Sequence, residues 1–321
     1  MGLNGDEKIG LMLFMDKNLS DDKTISCSSC HEPKYDFRDI NNVTKLRDRD
    51  ASIIAPSLRG VHKQEWFFWD GRSDAIWNQA IEALENPSEH SIERNDIFNY
   101  ICGYYTDKSN EIDSLCKKKD ESVTEELVIT VGKYIESYVS SINHYWTRFD
   151  QYNLEMKTNG VSDVLTPSEV NGLKLFIDRK KTGCIDCHNG IRFTNNNFFS
   201  TGTVEKGSRF NRYYGIDKYL SSEFNCRTIQ EDCAQRKYLK EPGDDDKGAL
   251  KVPSLRNLRH HTQFMHDGRF KTLEEVLFFY TNPMTLPITH IDIKPLRVFP
   301  HQQKDLINFL MALNDEYNTN N

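Results

Sequence analysis

Two short stretches of this chain carry residues able to do covalent chemistry on a cofactor: Cys27-Ser28-Ser29-Cys30-His31 and Cys184-Ile185-Asp186-Cys187-His188. In a Cys-x-x-Cys-His motif the two thiols add to the vinyl groups of a porphyrin. The adjacent His is then drawn under the iron as its proximal ligand. A zinc site would instead gather two Cys pairs, or Cys with spaced His, into one tetrahedron. Here each pair is followed at once by His, and this happens twice. The chemistry implied is two covalently bound haem c groups, with irons on His31 and His188.

The frame around these motifs also repeats. One copy runs from Gly10-Leu11 through the first motif to a block from Ala55 to Ala83, and the other from Gly172-Leu173 through the second motif to Val252–Tyr280. The blocks align without a gap: Pro56-Ser57-Leu58-Arg59 falls on Pro253-Ser254-Leu255-Arg256, and Asp70-Gly71-Arg72 on Asp267-Gly268-Arg269. Such self-similarity marks a repeated structural unit. The expectation is a mainly α chain of two tandem cytochrome c-like haem domains related by internal duplication, residues 1–155 and 156–321. The copies differ where Ala83 falls opposite Tyr280. A phenolate oxygen can ligate haem iron and a methyl group cannot, so haem two would be six-coordinate and haem one open on its far side. Met284, Met265 and His266 are rival sixth ligands, and a buried core aromatic is the plainer role for Tyr280.

The elements that must hold these residues are mostly helices. Leu11–Met15 and Leu173–Ile177 lead into the motifs, and Ser73–Leu84 and Thr272–Tyr280 have helical apolar spacing after an Asp-Gly turn. Thr124–Phe149 reads as one long amphipathic helix closing the first domain. Thr166-Pro167-Ser168-Glu169 is a helix start with a capping box, and Asp305–Leu313 is a closing helix. The domain boundary is expected near residues 150–165. Residues 195–248 have no counterpart in the first copy and read as an inserted loop.

Composition bounds the partners. The chain has 321 residues and a net charge of −7, enough length for two domains and nothing that suggests nucleic acid. Electrostatic steering of this net charge would favour a basic partner. No apolar run approaches a membrane span. Of eight Cys, the four outside the motifs form two short-range pairs, Cys102–Cys116 and Cys226–Cys233, expected as disulfides in an oxidising compartment or else as free thiols. Haem attachment also points to export, so a periplasmic location is expected, with the signal peptide not in this chain.

Phe67-Phe68-Trp69-Asp70-Gly71-Arg72, Trp77-x-Gln79-Ala80, Val252-Pro253-Ser254-Leu255-Arg256-Asn257 and Phe264-Met265-His266-Asp267-Gly268 resemble the bacterial diheme cytochrome c peroxidase family over nearly the whole chain. The MauG-like branch is the most similar, because it has Tyr at the Tyr280 position where the peroxidases have an axial Met. The resemblance implies that Tyr280 is the ligand, that Trp69 lies between the haems and carries an electron hole, and that Gln79 and Glu89 stand beside the open haem. A Glu there can take a proton from bound hydrogen peroxide and return it to the departing oxygen. The chain departs from the pattern at several positions. Ala83 stands where the family often has Pro. No His falls near Leu46-Arg47, where the peroxidases carry a switchable ligand; His62 is the nearest. The calcium ion implied between the haems would meet Ile54 and His261-x-Gln263 in place of the family's side chains, leaving backbone carbonyls as ligands. Thr182 replaces the surface Trp that MauG uses, so maturation of methylamine dehydrogenase is not expected.

The expected activity is that of a diheme peroxidase-like oxidoreductase that uses peroxide at haem one and oxidises a partner, such as an aromatic residue of a protein. A cytochrome c peroxidase drawing electrons from a small cytochrome c or cupredoxin is the first alternative. A plain diheme electron carrier is the second, and the open Ala83 position argues against it.

Overall fold

The computed structural model describes residues 2–39, 53–118, 120, 122–144, 146–205, 207–225, 239, 241–283 and 290–315. The expected Cys226–Cys233 pair, Met284 and Leu46-Arg47 lie outside the described residues. The described chain is mainly helical: α1 (Gly5–Met15), α2 (Cys27–Cys30), α3 (Ile76–Glu85), α4 (Arg94–Tyr104), α5 (Asn110–Cys116), α6 (Val123–Ser141), α7 (Arg148–Asn159), α8 (Pro167–Ile177), α9 (Cys184–Cys187), α10 (Arg212–Ser221), α11 (Leu273–Thr281) and α12 (Pro300–Met311). One antiparallel pair, β1 (Phe198–Phe199) with β2 (Leu250–Lys251), is set in register Phe198↔Lys251.

Two compact units form. The first contains residues 1–68, 73–143 and 221–239; the second contains 69–72, 144–220 and 240–321. In the first, α1 lies across α6 so closely that a Cβ on Gly10 would come 2.0 Å from the Tyr134 carbonyl oxygen. Only glycine permits that approach. Around the crossing Leu13, Phe14, Leu127, Val128 and Val131 are fully buried, and the Phe14 and Tyr138 rings meet edge to face at 5.1 Å. A disulfide joins Cys102 on α4 to Cys116 on α5. In the second unit α8 lies on α12 by the same device: a Cβ on Gly172 would come 2.0 Å from the Asp305 carbonyl oxygen. The Phe149, Phe176, Phe193 and Phe309 rings pack there with centroids 5.2–6.2 Å apart. Aromatic packing of this kind supplies much of a small core's stability.

Several elements depart from the sequence expectations. The expected helix 124–149 is two helices. α6 ends at Ser141, and Thr147 starts α7 with a capping box to Asp150. Thr147 also bridges to Asp315, and Arg256 donates to both Asp150 carboxylate oxygens at 2.7 and 2.9 Å. These bonds draw α7 into the second unit, so the units divide at Asn143/His144 and not near 150–165. The helix α1 begins six residues earlier than its apolar residues suggested, because Asn4 and Glu7 form a capping box. The helix α12 begins at Pro300, a residue suited to the first turn. The stretch 195–248 is not only loop: it holds β1 and the helix α10. Arg, Tyr and Gly hid that helix from a periodicity reading, and its register is set by partners remote in sequence. Gly215 packs directly on the Asp70 backbone, and Arg212 donates to the Gly71 carbonyl at 2.7 Å.

Backbone conformation recurs at matching positions of the two aligned blocks. Gly60 and Asn257, Phe68 and Met265, and Gly71 and Gly268 all have φ between 58° and 71°. Phe67↔Ser73 and Phe264↔Phe270 form isolated antiparallel bridges. A non-glycine residue held at positive φ costs about 1 kcal/mol or more, so it persists only where its surroundings fix it.

Candidate haem and peroxide site

The helix α2 is a single turn that presents Cys27 and Cys30 side by side, and His31 closes it by donating its backbone N–H to the Cys27 carbonyl at 2.9 Å. α9 repeats this with Cys184, Cys187 and His188, the last bond being 2.8 Å. All four cysteines are thiols outside disulfides. Burial pushes Cys27 and Cys30 up to about 12 and Cys187 up to about 11, which keeps them protonated and apolar in character until a vinyl group is added.

Each imidazole is held in one tautomer. His31 Nδ1 lies 3.1 Å from the Phe37 carbonyl oxygen, and His188 Nδ1 lies 3.1 Å from that of Phe193. A carbonyl can only accept, so Nδ1 carries the proton and Nε2 keeps its lone pair. Burial holds both imidazoles below their ordinary pKa and thus neutral. Those are the requirements of a neutral nitrogen ligand to iron. Phe37 and Phe193 achieve this at φ of 57° and 54°, so backbone strain is placed where it aims the ligand.

Buried cations complete the cradles. Arg38 is 3% exposed and is pushed down to about 10 by burial. In the second unit burial pushes Lys251 down to about 7, with the nearby charge of Arg192 adding to the effect. Arg192 itself falls to about 10. Arg38, Arg192 and Lys251 are enclosed cations, of a charge that the propionates of a haem would complement. The residues present therefore fit haem c in both units. Among the described residues no cluster of three or more His, Cys, Asp or Glu side chains gathers into a metal site.

Of the expected site residues, Glu89 is brought to the first motif. Its charge acts on both Cys27 and Cys30. It sits in a tight turn built by Asn86, whose Nδ2 donates to Glu89 Oε1 at 2.8 Å while its carbonyl accepts from the Glu89 and Ser91 N–H groups at 2.9 and 3.0 Å. Gln79 and Ala83 lie one helical turn apart on α3, both half-buried, beside the fully packed Ile76, Trp77, Ile81 and Leu84. Tyr280 is brought to the second motif. Burial and the nearness of Cys184 and Cys187 raise its phenol well above the ordinary value. It shares the inner face of α11 with buried Leu277, while Phe278 is exposed.

Trp69 belongs to the second unit, half-buried, with its carbonyl accepting from the Lys251 N–H at 2.8 Å. The His266 ring lies edge-on to it at 6.4 Å and stacks on Phe210 at 5.9 Å. Burial pushes His266 down to about 4, so it is neutral. Met265 is in the left-handed region beside the Phe264 bridge. The sequence reading missed Asn86, Arg38, Lys251 and Arg212. Asn86 alone had a local signal, the Asn-Pro turn before Glu89; the others are found only once the chain is folded. His90, adjacent to Glu89, is buried, with Nδ1 2.7 Å from the Leu19 carbonyl, and its charge acts on His31.

A family model described as di-haem cytochrome c peroxidase matches residues 5–159. Over 96% of this chain and 81% of its own length, the cytochrome-c peroxidase IdrP2 of Denitromonas iodatirespirans is 27% identical. The methylamine utilization protein MauG of Methylorubrum extorquens is 24% identical over 96% of the chain and 78% of its own length. The diheme peroxidase BthA of Burkholderia thailandensis superimposes with a TM-score of 0.70 at 22% identity, covering 97% of this chain and 86% of its own. Residues 5–159 thus match the di-haem cytochrome c peroxidase model, and relatives named cytochrome-c peroxidase and MauG align along 96% of the chain.

Proposed function

We propose that this chain is a periplasmic, peroxide-using diheme oxidoreductase of MauG-like type, built from a duplicated cytochrome c-like unit. Haem c would be carried on Cys27, Cys30 and His31 and on Cys184, Cys187 and His188. The observation that carries the reading is an asymmetry: the carboxylate of Glu89 stands by the first motif and the phenol of Tyr280 by the second. The shared positive-φ positions and bridges support the duplication.

Haem iron, when bound, supplies the coordination site and the electrons for cleavage of the O–O bond. The protein's part is proton handling and positioning. Glu89 accepts a proton from the nearer peroxide oxygen and delivers it to the departing one, while Asn86 fixes the carboxylate. Gln79 offers amide donors from the same face of α3 as Ala83. Tyr280 would hold the second haem through its phenolic oxygen, and the Trp69 ring would carry an electron hole. The oxidised partner is an aromatic residue of another protein. Reduction of peroxide with electrons from a small redox protein is the second reading, favoured by the names of relatives such as IdrP2.

The test is a pair of variants of the purified holoprotein. Tyr280→Phe is expected to turn the ligated haem high-spin in optical and EPR spectra. Glu89→Gln is expected to leave both spectra intact and slow the peroxide reaction by about 10²–10⁴-fold. A Tyr280→Phe spectrum identical to wild type removes the Tyr280 ligand. An unchanged rate in Glu89→Gln removes the proton relay.

A further inference from the structure

We infer that Tyr105, Tyr100 and Tyr104 form a ladder by which oxidising equivalents leave the first unit, ending at a surface site on Tyr104 for phenols, such as an exposed tyrosine of another protein. The inference rests on the peroxide-using reading above and gives it a route and a substrate class. The three rings step from core to solvent: Tyr105 is 4% exposed, Tyr100 is half-buried and Tyr104 is 68% exposed. The Tyr105 and Tyr100 rings meet edge to face at 6.2 Å, and the Tyr100 and Tyr104 rings lie 4.9 Å apart, tilted by 33°. Their spacing of four residues puts Tyr100 and Tyr104 on one face of α4, and the Cys102–Cys116 disulfide ties that turn to α5. The outer end is open, since a Cβ on Gly103 would meet nothing within 4 Å.

A phenol gives up an electron readily when its proton has somewhere to go, and Asp16 supplies the place. Its Oδ1 accepts from the Asn18 N–H and the Asn18 amide, both at 2.9 Å. Its Oδ2 accepts from the Tyr100 and Tyr105 hydroxyls, both at 2.7 Å, the short length of a bond to an ionised acceptor. Burial would raise Asp16, but the bonds from both tyrosines and Asn18 hold it below its ordinary value and so ionised. Burial and the same carboxylate push Tyr100 up to about 12, which keeps the phenol protonated until it is oxidised. The ladder also shares one apolar core with the first attachment motif: Cys27, Phe37, Tyr100 and Tyr105 all pack into it. Phe14, two residues before Asp16, meets the Phe37 ring edge to face at 6.5 Å, and the Phe37 carbonyl is the one that holds His31.

The step balances with hydrogen peroxide as the oxidant. Tyr100 loses one electron towards the first haem and its proton to Asp16. Tyr104 then refills Tyr100 with an electron, Asp16 returns the proton, and the Tyr104 hydroxyl releases its own proton to water. A phenol against Tyr104 restores it by giving one electron and one proton. Two phenols oxidised in this way reduce one peroxide to two waters, and the two phenoxyl radicals couple.

The test is freeze-quench EPR of the ferric holoprotein after one equivalent of hydrogen peroxide, with tryptic mass spectrometry of the dityrosine formed when no other phenol is present. Wild type is expected to give a tyrosyl signal and a cross-link at Tyr104. Tyr104→Phe should lose the cross-link and keep a signal, and Tyr100→Phe/Tyr104→Phe/Tyr105→Phe should lose the signal, with haem spectra unchanged. Asp16→Asn should slow radical formation by about 10²-fold, the scale of a lost general base. A signal that survives the triple variant, a cross-link at other tyrosines, or an Asp16→Asn rate equal to wild type overturns the proposal. If peroxide leaves the haem spectra unchanged, the oxidoreductase reading fails instead. Flash-generated ruthenium(III) tris-bipyridyl then oxidises the tyrosines directly: dityrosine concentrated at Tyr104 in wild type supports the ladder, and dityrosine spread over other exposed tyrosines overturns it.

Discussion

Replacing Gly215 by Ala tests how the turn carrying Trp69 is held. Gly215 lies on α10, where an added Cβ would stand 2.1 Å from the Asp70 carbonyl oxygen, 2.8 Å from its carbon and 3.0 Å from its Cβ. An ordinary contact needs about 3.4 Å or more, and the atoms in the way are backbone, so the turn or the helix must shift by about 1 Å. The shift also loosens the Arg212 bonds to Gly71 and Asp70 at 2.7 and 3.3 Å and its stacking over Phe198 at 4.0 Å. Overpacking of this kind costs about 1–3 kcal/mol. In a unit of about 160 residues, at about 2–4 °C per kcal/mol, the melting temperature should fall by about 2–12 °C. Trp69 adjoins the displaced residue, and a misplacement of about 1 Å can lower a rate by about 10²-fold. Calorimetry and stopped-flow peroxide kinetics on the same sample measure both effects, with the haem spectra unchanged. A Gly215→Ala protein that melts and turns over as wild type would refute the close packing and the positioning of Trp69 by α10.

Other outcomes follow from the same geometry. Gly10→Ala and Gly172→Ala should each destabilise their own unit by at least about 1–3 kcal/mol, because each Cβ meets a backbone carbonyl at 2.0 Å; denaturant titration of each variant checks this. Cys102→Ser/Cys116→Ser opens a loop with a sequence separation of 14 and should lower the stability of the first unit by about 3 kcal/mol, read by urea unfolding without reductant. Arg256→Met strands the Asp150 carboxylate, and because Asp150 keeps some solvent contact the loss at pH 7 should be about 3 kcal/mol. Burial would raise Asp150, but the bonds from Arg256 and Thr147 bring it below its ordinary value. A depressed carboxylate stabilises above its unfolded pKa of about 4 and loses that contribution as pH falls through the folded value. The gap in melting temperature between wild type and Arg256→Met should therefore narrow below pH 4, and a gap constant with pH would contradict the pairing.

The chemistry was legible in the sequence wherever it was local. Cys-x-x-Cys-His implied a haem by spacing alone, the Asp-Gly turns announced α3 and α11, and Thr166 with Glu169 announced α8. What stayed hidden depends on contacts between distant residues. The split of 124–149 into α6 and α7 follows from the bond of Asp150 to Arg256, more than a hundred residues away. The helix α10 has little periodicity of its own, because Arg212 and Gly215 are chosen to fit the Asp70 turn and not a helical stripe. The buried cations Arg38, Lys251 and Arg192 resemble surface residues until folding encloses them. Glu89 had its expected role only from the family resemblance, and neither the Asn86 turn that holds it nor its nearness to Cys27 and Cys30 could be read from the local sequence.

The most direct measurement mixes the fully ferric holoprotein with one equivalent of hydrogen peroxide and follows optical and EPR spectra from milliseconds onward. Immediate reaction with changes at both haems is the result predicted if the Ala83 position supplies no ligand to one iron and Tyr280 ligates the other. A ferric protein that stays inert until the second haem is reduced would contradict the MauG-like account and assign the chain to donor-dependent peroxide reduction.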